Sequence, residues 1–458
     1  MPQPISHWEP DNPAFWESGG ERIARKNLIL SAPPLVLAFA VWMLWSVVVA
    51  YLPHIGFRFT ANQLFWLAAL PGLSGATLRL LFSFMVPIFG GRVWTTFSTA
   101  LLLVPVIGIA AAVQDTATSY PQFLMLALAA GIGGGNFASN MANLSFFYPT
   151  ARKGAALGLN AGLGNLGVGL AQLVVPLVIG TAIFGALSGS PQTWSDGIDT
   201  HQVWLQNAGL VWVPFIVLAA AAAWYGMDDI ATLRSSFPEQ AVVFVRKHNW
   251  ILSWLYLGTF GSFIGFAAGF PLLADIEFST HSTLGYAFAG PLAAAIARPA
   301  GGWLADRIGG GRVALASFII MAVASGGLLA TLPGGGGGGS YIGFLVLFAV
   351  LFMASGAGNG AVFQMIPVVF VNDRQRAAQD AGARKRALHD GMIEGAAAIG
   401  FASAIGAFGG FVIPKSFGTA ISLTGGTHAA FYMFMIFYAS CIALTWWYYA
   451  RRNAEMPC

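Results

Sequence analysis

Twelve apolar segments follow one another along this chain of 458 residues, and each is long enough to cross a lipid bilayer. A membrane-spanning helix needs about 20 consecutive apolar residues. Only 9% of the residues are charged, far below the roughly one quarter found in soluble domains. The sequence therefore predicts an all-α membrane protein with twelve transmembrane helices. The predicted segments are 28–52, 62–86, 93–113, 121–147, 154–185, 203–225, 249–273, 283–304, 312–332, 341–370, 390–413 and 428–450.

The distribution of basic residues predicts how the chain crosses the membrane. If the N-terminus is cytoplasmic, nearly all of the 22 Lys and Arg residues fall on the cytoplasmic side. Only Arg58 and Lys415 fall on the opposite side, and Arg79 and Arg298 lie within apolar segments. Cytoplasmic loops of membrane proteins carry such an excess of Lys and Arg. We therefore expect both termini in the cytoplasm and interpret the basic clusters as topology signals, with no nucleic-acid partner. Because the first 26 residues are polar, we expect no cleavable secretory signal peptide.

Polar breaks divide the chain into two groups of six segments. The predicted organisation is a cytoplasmic tail, a six-helix bundle, a cytoplasmic linker, a second six-helix bundle and a second cytoplasmic tail. These parts are residues 1–27, 28–226, 227–248, 249–450 and 451–458. The glycine run at 334–339 is predicted to be a flexible outer connection without a function of its own.

Two arginines lie deep inside apolar segments, at similar depths in the two halves. They are Arg79 in the second segment and Arg298 in the eighth, which is the second segment of its half. A guanidinium at the centre of a bilayer costs at least ~2.5–3.5 kcal/mol, so such a residue normally has a partner or a function. No Asp or Glu occurs at a matching depth. We therefore expect the negative charge to come from an anionic substrate.

The fourth segment of each half carries a glycine-rich run with an asparagine, at 131–137 and 356–360. Two related halves with polar groups at mid-depth are typical of transporters whose substrate site lies between internal repeats. Dense glycine also allows close helix packing, which explains most of these positions. The asparagines in and beside the runs fit either hydrogen-bonded bridges between helices or contacts to a ligand. They are Asn136, Asn140, Asn143 and Asn359.

The loop after the eighth segment, 302–312, resembles the G-x-x-x-D-R-x-G motif of the major facilitator superfamily, which latches helices at the cytoplasmic gate. By this resemblance Asp306, Arg307 and Arg312 are gate residues, although an exposed turn with a surface ion pair is the simpler alternative. The first-half copy, ending at Arg92, lacks the Asp-Arg pair. Both glycine-rich runs together with both arginines closely resemble the nitrate/nitrite porter family of that superfamily, over essentially all twelve segments.

The resemblance implies two pseudo-symmetric six-helix bundles and a set of residues that bind the anion. By resemblance, the substrate-binding residues are Arg79, Arg298, Phe137, Asn165, Tyr256 and Phe260, with Asn136, Asn359 and Gln364 as secondary candidates. A planar oxyanion suits the planar fork of a guanidinium, which donates two parallel hydrogen bonds that a lysine cannot supply. Apart from the resemblance, Tyr256 and Phe260 fit an ordinary aromatic pair and Asn165 a bridge between helices.

Three functions are weighed for such a chain. The first is exchange of nitrate for nitrite across the inner membrane of a bacterium, by a monomer in the lipid bilayer that uses no cofactor or metal. The second is symport of nitrate with protons, for which Glu394 is the best candidate carrier. However, an acid in the first turns of a helix, favoured by the helix dipole, is the preferred interpretation of Glu394. The third, a membrane-embedded enzyme, would need paired histidines or cysteine clusters inside the segments, and the sequence has none there.

Overall fold

The computed structural model describes residues 4–197, 199–231, 242–281, 283–333, 339–376 and 381–458. Most of the predicted connection at 334–339 and part of the predicted linker at 227–248 lie outside these residues. Within them the chain forms twelve long helices, several of them interrupted. Those of the first half are α1 (Glu21–Tyr51), α2 (Ala61–Phe82), α3 (Gly91–Ala100 and Leu103–Ala112), α4 (Tyr120–Ala130 and Ile132–Phe147), α5 (Thr150–Ile179) and α6 (Asn207–Leu210 and Trp212–Gly226).

The second half repeats this succession of six helices. They are α7 (Lys247–Tyr256, a π-helical turn at Leu257–Gly261, and Ser262–Glu277), α8 (Ala289–Ile308), α9 (Gly310–Thr331), α10 (Tyr341–Arg376), α11 (Ala381–Ala407 and Gly409–Thr424) and α12 (His428–Thr445, continued by a π-helical turn at Trp446–Ala450). Short helical turns precede the first helix at Pro13–Phe15 and Trp16–Gly20. Others lie between helices at Pro53–Ile55, Met85–Phe89, Gly185–Ser188, Val242–Val245 and Leu284–Tyr286. The chain also forms one antiparallel hairpin, of β1 (Gln192–Ser195) and β2 (Thr200–Val203).

Among the described residues, ten helices are long and apolar enough to cross a membrane. The other two predicted segments correspond to α4 and α8. Helix α4 is interrupted at Gly131, and α8 carries Arg298, Asp306 and Arg307, which make it less apolar. The all-α membrane fold predicted from the sequence is confirmed.

Three boundaries differ from the prediction, two of them because helices continue past the apolar segments. Helix α10 extends to Arg376 and the next helix begins at Ala381, so most of the polar break predicted at 371–389 is helical. Lys415, predicted in an outer loop, lies within the second part of α11. The segment predicted at 154–185 is the helix Thr150–Ile179.

The chain separates into two compact units. The first unit contains Met1–Ser235 and Ala267–Phe288, and the second contains Ser236–Phe266 and Ala289–Cys458. In the first unit, α1 packs against α4 and α5, and α2 packs against α4. In the second unit, α10 packs against α8, α9 and α11.

Local sequence explains where several of these helices begin. Thr60 caps α2 in a reciprocal pair of hydrogen bonds with Gln63, which satisfies backbone groups that have no partner within the helix. Gly90 and Gly309 precede α3 and α9 with φ of 84° and 96°, a conformation that favours glycine.

The chain after α6 is held to the first unit, because the amide of Ile5 donates to the carbonyl of Asp229 at 2.7 Å.

Candidate functional site

Arg79 lies buried in the first unit among aromatic rings. Its side chain is on α2, and the residue is 1% exposed. The guanidinium carbon lies 4.5 Å from the ring centre of Phe137 and 5.1 Å from that of Trp42. Its Nε donates a hydrogen bond of 2.9 Å to the carbonyl oxygen of Gly134 on α4. A directional hydrogen bond and the π faces of neighbouring rings therefore both hold the arginine.

The glycine-rich run of α4 allows this arrangement because side chains there would collide with α1 and α2. A Cβ atom on Gly134 would lie 2.8 Å from the Cα atom of Gly75 and 2.8 Å from the indole of Trp42. A Cβ atom on Gly133 would lie 2.1 Å from the carbonyl oxygen of Ala38. Close helix packing, expected from the sequence, thus accounts for these glycines. It also brings the carbonyl of Gly134 to the arginine.

The asparagines of this region bridge helices. Asn136 donates from Nδ2 to the carbonyl of Ser98 at 3.1 Å, and Asn140 donates to the carbonyl of Ser31 at 2.9 Å. Asn160 donates to Oδ1 of Asn140 at 2.6 Å. Of the two alternatives that the sequence left open, the bridging one is observed for Asn136 and Asn140. The buried Oδ1 of Asn136 has no donor within the described ranges and keeps one acceptor available.

Asn165 lies on α5, which packs against α1, the helix that carries Phe39 and Trp42. It is 1% exposed, and its Oδ1 has no hydrogen-bond donor in the part of the chain that is described. A Cβ atom on the nearby Gly167 would lie 2.9 Å from the Cβ atom of Phe39. The ring of Phe39 meets that of Phe137 edge to face, with centres 5.9 Å apart. Asn165 thus shares the interior of the first unit with Arg79 and Phe137.

Arg298 is the corresponding arginine of the second unit. It lies on α8 and is 5% exposed, with its guanidinium carbon 5.2 Å from the ring centre of Phe363. Both terminal nitrogens, Nη1 and Nη2, are buried and have no hydrogen-bond acceptor among the described residues. A buried cationic donor without an acceptor is strongly unfavourable, so the chemistry of this position suits an anion.

Tyr256 and Phe260 lie close to each other, and Tyr256 also lies close to Phe363. Their ring centres are 5.4 Å apart, and the Tyr256 ring is 6.4 Å from that of Phe363. Each is 1% exposed. A π-helical turn follows Tyr256, so the pair departs from regular α-helical geometry at the point where its two rings meet. Gly406 of α11 makes room for them, because a Cβ atom there would lie 2.7 Å from the Tyr256 ring.

The glycine-rich run of α10 packs against α8. A Cβ atom on Gly360 would lie 2.0 Å from the carbonyl oxygen of Arg298, and one on Gly356 would lie 2.2 Å from that of Ala294. Asn359, 1% exposed, and Gln364 lie on the same helix. The side-chain oxygens of both lack a donor among the described residues.

The residues of the predicted gate motif are exposed. Arg307 stacks on Trp303, with its guanidinium carbon 3.8 Å from the ring centre, and Arg312 donates a long bond of 3.4 Å to the carbonyl of Ile308. No ion pair of Asp306, Arg307 or Arg312 is found among the described residues. Their role as a latch remains a prediction from the resemblance.

The first-half copy of that motif has an acidic partner that the sequence analysis missed. Arg92 is buried and pairs with Asp229, with Nε and Oδ2 3.2 Å apart, and its amide donates to Oδ1 at 2.8 Å. The acid comes from the segment after α6 rather than from the motif. Sequence spacing gave no indication of it because the two residues are far apart along the chain.

Glu394 differs from its predicted setting. It lies in the interior of the helix that begins at Ala381, so the helix dipole does not explain it. Its side chain, 7% exposed, pairs with Arg246 at 3.0 Å and also with Arg374. Two cations therefore hold this carboxylate in its charged form.

Sequence reasoning also missed the ring of Trp42 beside Arg79 and the ring of Phe363 beside Arg298. The only available signal was position, because tryptophan usually lies near the ends of a membrane span whereas Trp42 lies in the middle of one. Phenylalanines are too common in such segments to stand out.

Comparison with known proteins agrees with the fold. The profile of the Major Facilitator Superfamily matches residues 35–383. The nitrate/nitrite transporter NarU of Escherichia coli strain K12 is 50% identical over 455 residues, covering 98% of this chain and 96% of that protein. The probable nitrate/nitrite antiporter NarK2 of Thermus thermophilus is 40% identical over 460 residues, covering 99% and 98%.

Among solved structures, the xylose transporter XylE from E. coli, in a partially occluded inward-open conformation, matches with a TM-score of 0.61. It is 14% identical in sequence and covers 93% of this chain and 97% of its own, which shows a shared fold. The chain is therefore a multi-pass membrane protein of a transporter class. It belongs to the Major Facilitator Superfamily and, within it, to the nitrate/nitrite porter family.

Proposed function

We propose that this chain transports nitrate and nitrite by alternating access and that it exchanges one anion for the other, with Arg79 and Arg298 both binding the anion. Relatives that are 50% and 40% identical are named as a nitrate/nitrite transporter and a probable nitrate/nitrite antiporter, and this supports the proposed substrates. No chemical step on the anion is needed, so the chain acts as a transporter and not as an enzyme.

The observation that carries the proposal is the guanidinium of Arg298. Both of its terminal nitrogens are buried without an acceptor in the described part of the chain. An oxyanion supplies two acceptors in one plane, which matches the two parallel donors of an arginine. Lysine presents a compact point charge instead and cannot form the same bidentate contact.

The remaining site residues complete the environment of the anion. Phe137 and Phe260 form apolar walls that exclude water and strengthen the interaction with the arginines. Asn165 and Tyr256 hydrogen-bond to the anion. Asn136, Asn359 and Gln364, which retain side-chain oxygens without donors in the described residues, have secondary roles that adjust the polarity of its path.

Exchange follows from the charge of the empty site. Two arginines without an anion resist the change of conformation, because like charges in a low dielectric repel strongly. One bound anion removes much of this repulsion, so the carrier reorients when loaded. Glu394, the alternative proton carrier, is already paired with Arg246 and Arg374, which counts against symport through this residue.

The protein acts as a monomer in the inner membrane of a bacterium, with both termini in the cytoplasm. Residues 28–226 and 249–450 form the two bundles that rock against each other. Asp306, Arg307 and Arg312 belong to the cytoplasmic gate. This orientation rests on the excess of basic residues on the cytoplasmic side.

Counterflow in proteoliposomes tests the proposal. Uptake of labelled nitrate should require nitrate or nitrite inside the vesicles and should not respond to a protonophore. Equal uptake into empty vesicles would exclude exchange, and uptake abolished by a protonophore would favour symport.

Substitution of each arginine tests the binding role. Arg79→Lys and Arg298→Lys should each reduce transport at least about 100-fold, since loss of a bidentate charge-assisted contact removes about 3 kcal/mol. Arg58→Lys, at an exposed position outside the helices, is the control and should transport normally. Normal transport by either Arg79→Lys or Arg298→Lys would show that the arginine does not bind the anion.

A further inference from the structure

We propose that Trp42 is a positioning residue for Arg79 and that it sets the affinity of the first unit for the anion. This inference rests on the proposed function, because it assigns a role to a residue that contacts the arginine and not the substrate. Trp42 lies in the C-terminal half of α1 and is 1% exposed.

The indole is fixed in place by a hydrogen bond. Its Nε1 donates to the carbonyl oxygen of Pro71 at 2.7 Å. This bond joins α1 to α2, the helix that also carries Arg79. A buried indole N–H without an acceptor would be unfavourable, so this bond selects one orientation of the ring.

Two glycines leave a slot that fits this orientation of the indole. A Cβ atom on Gly75 would lie 2.8 Å from Nε1 of Trp42, and one on Gly134 would lie 2.8 Å from Cε2. The ring of Phe39 meets Trp42 edge to face with centres 5.5 Å apart. The tryptophan therefore has little freedom to move, and the face that it presents to Arg79 is constant.

The guanidinium of Arg79 is thereby held in a single arrangement. Its carbon lies 5.1 Å from the Trp42 ring centre, within the range of a cation–π interaction, while Nε is bound to Gly134. Trp is the strongest of the aromatic residues in this interaction. A site that is already ordered before the anion arrives loses less entropy on binding.

The test compares Trp42 with Trp45, one turn further along α1. Trp45 is fully buried, and its ring meets that of Phe123 edge to face with centres 5.8 Å apart. Trp42→Leu should raise the KM for nitrate about 10- to 30-fold with a smaller change in Vmax, the range expected for a desolvated cation–π contact. Trp42→Phe keeps an aromatic face and should recover most of the affinity. Trp45→Leu and Trp45→Phe should leave KM unchanged.

A second readout does not depend on the substrate. The thermal unfolding midpoints of Trp42→Leu, Arg79→Gln and the double variant form a cycle, and the two effects should be non-additive because the residues are in contact. The same cycle with Trp45→Leu should be additive. Additive effects for Trp42, or a KM equal to that of the Trp45 variants, would overturn the positioning role.

The two readouts separate this inference from the proposed function. If the wild-type protein failed to bind or transport nitrate and nitrite, the proposed function would be wrong while the cycle still reported on the contact between Trp42 and Arg79. If the wild-type protein transported nitrate and the Trp42 variants behaved like the Trp45 variants, only the positioning role would fail.

Discussion

Replacing Glu394 with glutamine should destabilise the second unit and leave the remaining transport independent of protons, because transport is not coupled to this carboxylate. Glutamine has nearly the same shape but carries no charge, and its amide nitrogen would face a guanidinium. The change therefore leaves Arg246 and Arg374 without the partner that joins the start of α7 and the end of α10 to α11. The side chain of Glu394 is 7% exposed, and those of the two arginines are 29% and 34% exposed.

The exposure of each partner sets the expected size of the effect. Breaking a buried ion pair by removing one partner costs about 3–5 kcal/mol when the remaining charge is fully buried. Water reaches about a third of each arginine here, so we expect Glu394→Gln to lower the free energy of unfolding by about 2–3 kcal/mol. The pair of Lys247 and Glu455 joins groups that are 51% and 44% exposed, and an exposed pair contributes about 0–1 kcal/mol.

The assay is thermal or urea unfolding of purified protein in detergent, with Glu455→Gln as the control for Glu394→Gln. The Glu394 variant should unfold at clearly milder conditions than the control, and its remaining transport should stay insensitive to a protonophore. Equal stability of the two variants would refute the argument from burial. A stable Glu394→Gln protein that had lost a proton-coupled activity would instead support the role of a proton carrier.

Two further predictions concern packing and pH. Gly360→Ala should destabilise the protein by about 1–3 kcal/mol and impair transport, because the new Cβ atom would lie 2.0 Å from the carbonyl oxygen of Arg298. The control is Gly400→Ala, because a Cβ atom at Gly400 would have no neighbouring atom within 4 Å, so this variant should be neutral or stabilising in the same unfolding assay. An equal loss of stability in both variants would contradict the packing explanation. A hydrogen bond from His54 to Asp275 raises the pKa of the imidazole above its ordinary value of 6.5. The stability from this pair is fully present below pH 6.5 and is lost as the pH rises through the raised pKa. His54→Gln should therefore lower the free energy of unfolding most in acid. A loss of stability that is constant from pH 5 to 9 would exclude this contribution of the pair.

The helices were predictable because a bilayer offers the backbone no other partner. Each apolar segment has to satisfy its own N–H and C=O groups, so an apolar run of sufficient length is enough to predict a helix. The helix ends were less predictable. Helix α10 continues to Arg376 beyond its apolar run, where polar residues are equally compatible with a helix and with a loop.

The environment of the arginines was predictable only in part. Family resemblance named Phe137 and Arg79 as residues that bind the anion, and in the structure the guanidinium carbon of Arg79 lies 4.5 Å from the Phe137 ring centre. It did not identify Trp42 or Phe363, and spacing in the sequence offered no rule for choosing among 36 phenylalanines and 15 tryptophans.

By itself, the sequence determined the fold class, the internal repeat and the presence of two arginines deep in apolar segments, since each of these depends on local composition and on the energy of placing a residue in lipid. The tertiary structure decided which rings cover those arginines, which helices approach closely enough to require glycine, and which cations neutralise Glu394. These features depend on contacts between residues that are far apart in the chain. Such contacts are selected by the packing of whole helices, and packing has no signature at any single position.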